Sequence, residues 1–458
     1  MVSISSALAR IKDEPHVAID PAVVECVCRE SGLEWRQTVL SPPVTLSLLA
    51  RQVIAGNVSC AEVARMAGGG FTAEGYRAAR ARLPLEVVRA YASRVCDAAT
   101  ATAGGRPFAW RGHRTWLVDG SSCSMPDTLE LMAHFGCSGV QKEGCAFPIA
   151  HLLALFDAGT GMLRELVASP MRTADMTHAA DLHPNLGPGD ILLGDQTFSN
   201  YAHVALLLGA GAHALLPAYH QRIVDFTPNR PHADPADPHA PKGLPRSRWI
   251  KSLGGDHADD QLVEWFKPRE RPAWMTQEQY DALPASIVVR ELRRTVRRKG
   301  FRPVTVKIVT TLLDPERYPA AELVALRLRR WEVETDLRHL KTTLNMTVLR
   351  SQSVEGVMRE LAAFVLVYNL VRAAMLGAAL RQGVGVARVS FADALYWVRH
   401  GDRAAAVGGR NPPRLRVNPR RTGRVEPRVV KRRRNRYTLM TQPRDQLRQA
   451  LRTTRLTI

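Results

Sequence analysis

The stretch Thr115-Trp-Leu-Val-Asp119 is a short apolar run that closes on a carboxylate, and the same pattern returns at Ile191-Leu-Leu-Gly-Asp195. Runs of this length, bounded by Gly or Asp, predict buried strands. A third acid, Glu334, lies in a later basic segment with helical periodicity. Two acids at strand ends and one on a helix are the layout that a two-metal phosphoryl-transfer site requires, and such sites cut or join nucleic acid. Taken alone, however, an Asp that closes a strand is also a common turn former or helix cap.

The composition favours a polyanionic partner. Lys and Arg number 63 against 43 Asp and Glu, which gives a formal net charge of +20, and 45% hydrophobic content over 458 residues is enough for a core and two to four domains. Positive charge is concentrated from Arg410 onward. We expect this segment to be extended until it meets phosphate, with Arg432, Arg433 and Arg434 holding DNA with little sequence preference. A solvated charge run is the alternative interpretation.

Cysteine and apolar patterns indicate a cytoplasmic protein. Seven scattered cysteines, without the spacing of a zinc knuckle or a redox pair, predict reduced thiols. The N-terminus lacks a cationic start followed by an apolar core, and the uncharged stretch from Val204 to Ala218 is interrupted by Gly209, Gly211 and His213. We therefore expect no signal peptide and no membrane partner.

The first part of the chain, residues 1 to 105, has helical periodicity and is predicted to be a DNA-binding domain, with helices that include Ala7 to Lys12 and Pro21 to Glu30. Ser59 and Glu62 form a capping-box pattern, a Gly68-Gly-Gly70 break follows, and the next helix carries Arg77 and Arg80. A short helix, a tight turn and a basic helix favour a helix-turn-helix that binds DNA. A small bundle with a solvated arginine face fits the same pattern.

From residue 106 the pattern becomes an α/β core. We predict its first part over 106–218, a β-rich insertion over 219–303, its second part with the Glu334 helix over 304–400, and a basic C-terminal segment over 401–458. Helical periodicity within the core predicts helices from Thr173 to Leu182 and from Ala320 to Leu344. The insertion is indicated because the interval from Asp195 to Glu334 is nearly twice that between the two aspartates. The helix predicted from Val354 to Ala379 has an apolar face wide enough for either a subunit interface or the chain's own core.

The residues around Glu334 supply cations on one helical face. Arg330, Glu334 and Lys341 are four and then seven residues apart, so they share a face. Such cations can clamp a phosphodiester beside carboxylates that hold Mg2+ or Mn2+, since hard divalent cations prefer oxygen ligands. The alternative is ordinary helix pairing of Glu334 with Arg330 or Arg338.

The segment from Arg329 to Lys341 resembles the third-acid signature of DDE transposases of the insertion sequence 4 family, with Arg330, Glu334 and Lys341 at the matching positions. Val118-Asp-Gly-Ser-Ser122 is similar to the first-acid motif of the family, and Leu193-Gly-Asp-Gln-Thr-Phe198 to the second. Two departures stand out. Arg327 occupies the slot of a family Tyr, and Gln196 stands where Arg is common.

The resemblance implies a ribonuclease H-like core interrupted by the β insertion, with Asp119, Asp195 and Glu334 as catalytic residues that bind two Mg2+ or Mn2+ ions. It implies a homodimer acting on paired transposon ends in double-stranded DNA, in a bacterial cytoplasm and at the nucleoid. Water and then a DNA 3′-hydroxyl would be the attacking groups. Some relatives use a Trp of the insertion to hold a flipped base; here Trp249, Trp265 and Trp274 are available for stacking or for the core.

Two other functions fit the same sequence. One is a degenerate or repurposed transposase that binds DNA without catalysis, which the departures at Arg327 and Gln196 and the basic tail favour. The other is a cellular nuclease on the same core, which would cut DNA without joining it.

Overall fold

The fold is known from a computed structural model that describes residues 19–102, 109–139, 142, 144–234, 237, 241, 243–254, 259–297, 303–405, 414–419 and 442–455. Among these residues, five helices precede a region of strands with interspersed helices, and five helices follow the last strand. The helices are α1 (Pro21–Glu30), α2 (Pro42–Ile54), α3 (Cys60–Met66), α4 (Ala73–Arg82), α5 (Leu85–Thr102), α6 (Leu129–Phe135), α7 (Tyr201–Gly209), α8 (Gln277–Asp281), α9 (Ala320–Leu328), α10 (Trp331–Arg338), α11 (Val354–Gln382), α12 (Phe391–Ala405) and α13 (Arg444–Arg455). The strands are β1 (Thr115–Ser124), β2 (Ile149–Asp157), β3 (Leu163–Pro170), β4 (Ile191–Leu193), β5 (His213–Pro217), β6 (Ser247–Ser252), β7 (Asp260–Phe266), β8 (Ser286–Val296) and β9 (Val304–Thr310).

All these strands belong to one mixed sheet of order β3-β2-β1-β4-β5-β9-β8-β7-β6. In its first half β1, β2 and β3 form an antiparallel meander, and β4 and β5 then run parallel to β1. This order and these directions are those of a ribonuclease H-like core. The predicted α/β fold class is therefore confirmed.

The β-rich region continues the core sheet. Strand β9 pairs antiparallel with β5, β8 pairs with β9, and β7 and β6 follow outward. Because β8 and β9 form a hairpin, hydrogen bonding runs across the boundary predicted at residue 303. The division of the chain into domains remains a prediction.

Helix α11 is the centre of the core. Ser353 caps its N-terminus by accepting from the Gly356 amide, and Gly383, with φ of +61°, ends it. Among the described helices it is the one long and apolar enough to cross a membrane, but its apolar window is completely buried within the protein. Burial in the chain's own core therefore explains its wide apolar face. The seven cysteines are free thiols, as expected.

Three local predictions were wrong. The helix expected from Thr173 to Leu182 is two short 3-10 turns, the second of which contains Pro184. The helix expected from Ala320 to Leu344 is broken into α9, α10 and a π-helical turn, because the amides of Arg330 and Glu332 bond back only three residues. The basic tail is extended only in part, since α13 is helical.

The described parts of the tail dock on the core. Residues 414–419 bridge to Val389, and the Arg416 amide donates to Asp393 at 2.7 Å. At the start of α13, Arg444 pairs with Asp127 at 2.8 Å and stacks on Phe147. Arg432, Arg433 and Arg434 lie outside the described residues, as does the N-terminal helix expected before residue 19.

Candidate active site

Strand register brings the first two candidate acids together. Strands β1 and β4 are parallel neighbours with Leu117 opposite Leu193, and both leucines belong to the same core cluster. Asp119 and Asp195 each follow two residues later. Because side chains alternate along an extended chain, both carboxylates lie at one level and on the face that α10 covers.

The backbone after β4 fixes Asp195. Its carboxylate caps the short turn Gln196–Phe198, accepting from the Thr197 amide at 2.7 Å and from the Thr197 hydroxyl at 3.2 Å. The preceding Gly194 leaves no room for a side chain, because a Cβ there would lie 2.7 Å from the Phe198 ring and 2.9 Å from Val118. Glycine is therefore required for the close approach that presents Asp195.

Arg330 links the third acid to the first. It lies at the N-terminus of α10, and its guanidinium is 3.4 Å from the Asp119 carboxylate and 3.3 Å from that of Glu334. The side chain of Arg330 is 14% exposed and that of Asp119 20%, whereas that of Glu334 is 44% exposed. Glu334 is thus the member of the group that is free to turn toward solvent.

The charges of Asp195 and Glu334 both act on Asp119. Burial raises the pKa of Asp119, and the negative charges of Asp195 and Glu334 raise it further, while Arg330 and the Gly120 amide oppose the shift. Mutual repulsion among half-buried carboxylates is what a bound cation offsets.

The residues supply the right ligand chemistry for a divalent metal, but their present rotamers do not form a chelate. Among the described residues, no group of three or more His, Cys, Asp or Glu side chains is arranged to hold a metal ion. Arg330 lies between Asp119 and Glu334 and pairs with both. Metal binding at the three acids therefore requires Glu334 to leave Arg330.

Arg327 is a second cation at this site. It is half-buried on α9, and burial and the nearby Arg330 lower its pKa to about 10, while Asp195 and Asp119 oppose the shift. It is therefore charged at neutral pH beside the two aspartates. The departure of this position from the family Tyr was the sequence signal, but the sequence did not show that Arg327 lies close enough for the aspartate charges to act on it.

A buried ion pair anchors the helix that carries Glu334. Asp336 of α10 lies 3.4 Å from Arg372 of α11, and both side chains are almost fully buried. Arg372 also donates to the Thr160 carbonyl at 3.2 Å, and Arg329 donates to the Ala158 carbonyl at 2.6 Å. These contacts fix α10 to the turn between β2 and β3. Sequence patterns missed them because the partners are far apart along the chain.

The other predicted DNA ligands within the described part of the chain are Lys341, Arg77 and Arg80. Lys341 is in the π-helical turn, where its charge acts on Cys123 further along β1. In the predicted helix-turn-helix, Ser59 caps α3 and Thr72 caps α4. Arg77 is exposed and pairs with Glu74, whereas Arg80 is half-buried and donates to Gln52 at 3.1 Å. Of these two arginines, Arg80 is already used in packing α4 against α2.

The tryptophans of the insertion differ in how deeply they are buried. Trp265 is buried, and its indole donates to Glu291 at 3.0 Å. Its assignment to the core is confirmed. Trp249 and Trp274 are half-buried.

Asp195 follows the end of β4, as expected, but Asp119 lies within β1, which continues to Ser124, because β1 stays paired with β2 beyond the apolar run. The sheet order and these two acids on adjacent parallel strands define a ribonuclease H-like protein. The family described as "Transposase DDE domain" matches residues 110–370, a range that includes Asp119, Asp195 and Glu334. This match covers more than half of the chain. The protein belongs to the DDE transposases, and within them to the insertion sequence 4 family. It is accordingly a transposase, an enzyme of the polynucleotidyl transferase type that acts on DNA.

Individual relatives show the extent of the similarity. The chain is 27% identical over 342 residues to transposase InsG for insertion sequence element IS4 of Escherichia coli K12, covering 71% of this chain and 69% of the relative. It is 30% identical over 115 residues to the putative transposase InsZ of the same organism, covering 24% and 38%. Among solved structures, the piggyBac transposase synaptic complex with hairpin DNA matches with a TM-score of 0.39 and 8% identity, covering 89% of this chain and 82% of that one.

Proposed function

We propose that this transposase binds the inverted-repeat ends of its mobile element in double-stranded DNA, cleaves them in a metal-dependent reaction, and transfers the freed 3′-hydroxyl ends into target DNA. One observation carries the proposal. Asp119 and Asp195 lie at the same level on adjacent parallel strands, and Arg330 links Asp119 to Glu334 from a helix packed over them.

In this proposal Asp119, Asp195 and Glu334 are the catalytic residues and the ligands of two Mg2+ or Mn2+ ions. DDE transposases generally use divalent metal ions. When bound, such ions activate the attacking oxygen and stabilise the leaving oxygen. Asp195 is held for this task by its Thr197 bonds, and Asp119 by the Gly120 amide at 3.1 Å. If Glu334 turns away, the Arg330 guanidinium would exchange this carboxylate for a phosphate oxygen.

The DNA would be held over a wide surface. Arg330 lies at the acids, Lys341 lies in the π-helical turn near Cys123 of β1, and the exposed face of α4 with Arg77 would contact the transposon end. Arg80, whose guanidinium bonds Gln52, would orient that helix and reach phosphate only after a rotamer change. The basic C-terminal segment with Arg432 to Arg434 would add contacts that do not depend on sequence. The five predicted domains would then act in a homodimer on two paired ends, in the bacterial cytoplasm at the nucleoid.

The test is an in vitro assay of the full chain with end DNA and Mg2+, scored for both nicks and strand-transfer products. Asp119→Asn, Asp195→Asn and Glu334→Gln should each lower cleavage at least about a hundredfold while leaving end binding intact. Asp97→Asn and Glu355→Gln are matched controls, since each removes an exposed carboxylate that pairs with one arginine elsewhere. Normal cutting by any one of the three site variants would remove that residue from the catalytic site.

The same assay separates the alternative functions. Arg327 and Gln196 depart from the family pattern, and Arg330 pairs with two of the acids, which favours a repurposed DNA-binding protein as the second candidate. That candidate predicts specific end binding without nicks in either Mg2+ or Mn2+. A cellular nuclease predicts nicks without joined products.

A further inference from the structure

Helices α3 and α4, the predicted helix-turn-helix, have a small core of their own. Leu48 of α2, Val63 of α3 and Tyr76 of α4 form it, and all three side chains are buried. The main core cluster includes residues of α1, α2 and α5 but none from α3 or α4, all of whose residues the structure describes. The two helices therefore form a satellite unit that packs on α2.

Gln52 holds this satellite unit from the side of α2. It lies one turn after Leu48, so its side chain is on the same face of the helix, and it is buried. Its amide donates to the Val58 carbonyl at 2.6 Å. Its carbonyl accepts from the Tyr76 hydroxyl at 3.0 Å and from Arg80 at 3.1 Å. One side chain thus joins α4 both to α2 and to the turn that leads into α3.

The turn between α2 and α3 is held from the side of the catalytic core. Gly56 and Asn57 both have left-handed backbones, with φ of +94° and +57°, a conformation that asparagine adopts more readily than most residues with a Cβ. The buried Asn57 amide donates to the Glu360 carboxylate of α11 at 2.6 Å. Asn345, which follows the π-helical turn, donates to the Gly56 carbonyl at 3.3 Å. Two core side chains therefore meet at this one turn.

Glu360 also holds the segment that leads from α10 to α11. Its carboxylate accepts from the backbone amides of Arg350 at 2.9 Å and Ser351 at 2.8 Å. Just before them, the Leu349 amide donates to the Ser124 carbonyl of β1 at 2.8 Å. The carboxylate is thus bonded at once to the turn after α2 and to a segment attached to β1, the strand of the first catalytic acid.

A joint of this kind permits one arrangement. Apolar contacts are non-directional, whereas hydrogen bonds specify both distance and angle. Glu360 is only 1% exposed, and a buried carboxylate that loses a donor does not recover the hydration it gave up on folding. Rotation of the satellite unit away from the core would withdraw the Asn57 amide and leave this carboxylate short of a donor. The joint therefore opposes such a rotation.

We infer that Gln52, Asn57 and Glu360 are positioning residues, which hold α3 and α4 in one orientation on the catalytic core and so fix the phosphate at which a DNA end bound by α4 is cut. This inference rests on the proposed function, since it presumes that α4 binds the end and that the acids cut it. All three residues are buried, so none of them contacts the DNA. They act on where the DNA is cut, while the exposed face of α4 sets how tightly the end is bound.

The test maps nicks at nucleotide resolution on a labelled end duplex that the full chain cuts with Mg2+. In Asn57→Asp two carboxylates oppose each other, so the joint should open and the nicks should spread from the wild-type phosphate to neighbouring ones. In Asn57→Asp/Glu360→Gln the amide and the carboxylate have exchanged places, and the nicks should return to the wild-type phosphate. Asn185→Asp is the matched control, because it adds the same charge beside Arg164, which already donates to this side chain.

A further variant separates cut position from stability. Asn57→Gly keeps the left-handed turn and removes the bond to Glu360, so it should also spread the nicks while the affinity for the end stays that of the wild type. In either variant at position 57, nicks that stay at the wild-type phosphate or are lost altogether would overturn the inference, as would a spread that the double variant does not reverse. A wild type that neither binds nor cuts the end would instead reject the proposed function.

Discussion

Gly161 is the position where one added methyl group should disturb the active site from a distance. It lies in the turn between β2 and β3 with φ of +70°, and a Cβ there would overlap the Arg372 guanidinium, with the Nε atom only 2.6 Å away. Arg372 is the buried partner of Asp336, which lies on α10 two residues after Glu334. Gly161→Ala should therefore expel Arg372 and release the helix that carries Glu334.

The magnitude follows from two separate costs. A left-handed backbone costs a residue with a Cβ about 1–2 kcal/mol. Breaking a buried ion pair while one charge stays in place costs about 3–5 kcal/mol. Gly161→Ala should thus lower the free energy of unfolding by about 4–7 kcal/mol, a large fraction of what holds a typical protein folded.

A double-mutant cycle isolates the second cost. In Asp336→Leu/Arg372→Leu both charges are gone and the side chain at 372 is shorter, so adding Gly161→Ala should cost only about 1–2 kcal/mol. Urea unfolding followed by circular dichroism measures the four proteins. Equal effects of Gly161→Ala in both backgrounds would show that Arg372 does not occupy this space, and the account of how α10 is anchored would be wrong.

Two further predictions concern acidity. Because burial and like charges raise the pKa of Asp119, its ionised form costs stability above that pKa. Asp119→Asn should therefore raise the urea midpoint at neutral pH, and this gain should shrink as the pH falls; a lower midpoint at neutral pH would contradict it. His203 and His183 lie 3.1 Å apart beneath the Asp195 loop, and burial lowers their pKa values to about 3 and about 4. The unfolded chain takes up protons first, so stability present above pH 6.5 should fall by a few kcal/mol toward pH 3, and His203→Leu should reduce that loss. If His203→Leu lost as much stability as the wild type between pH 6.5 and pH 3, this reasoning would be refuted.

Local sequence patterns predicted many of the helices and strands. Helix α1 has the bounds that its periodicity predicts, and β1 and β4 lie where the two apolar runs ended in acids. These signals depend on residues within one turn or one strand, which is why the sequence alone contains them. The helix predicted from Thr173 to Leu182 does not form, because its local periodicity is outweighed by tertiary packing and by Pro184.

The amino-acid sequence by itself determined which acids are candidates, the ribonuclease H-like class, and the family. Tertiary structure alone decided that Asp119 and Asp195 are level, that Arg330 joins Asp119 to Glu334, that the aspartate charges act on Arg327, and that the insertion continues the core sheet. The physical reason is separation along the chain. The alternation of apolar and polar residues along one strand is visible in its own sequence. The register between strands depends on how the whole core packs, and so do ion pairs between residues hundreds of positions apart.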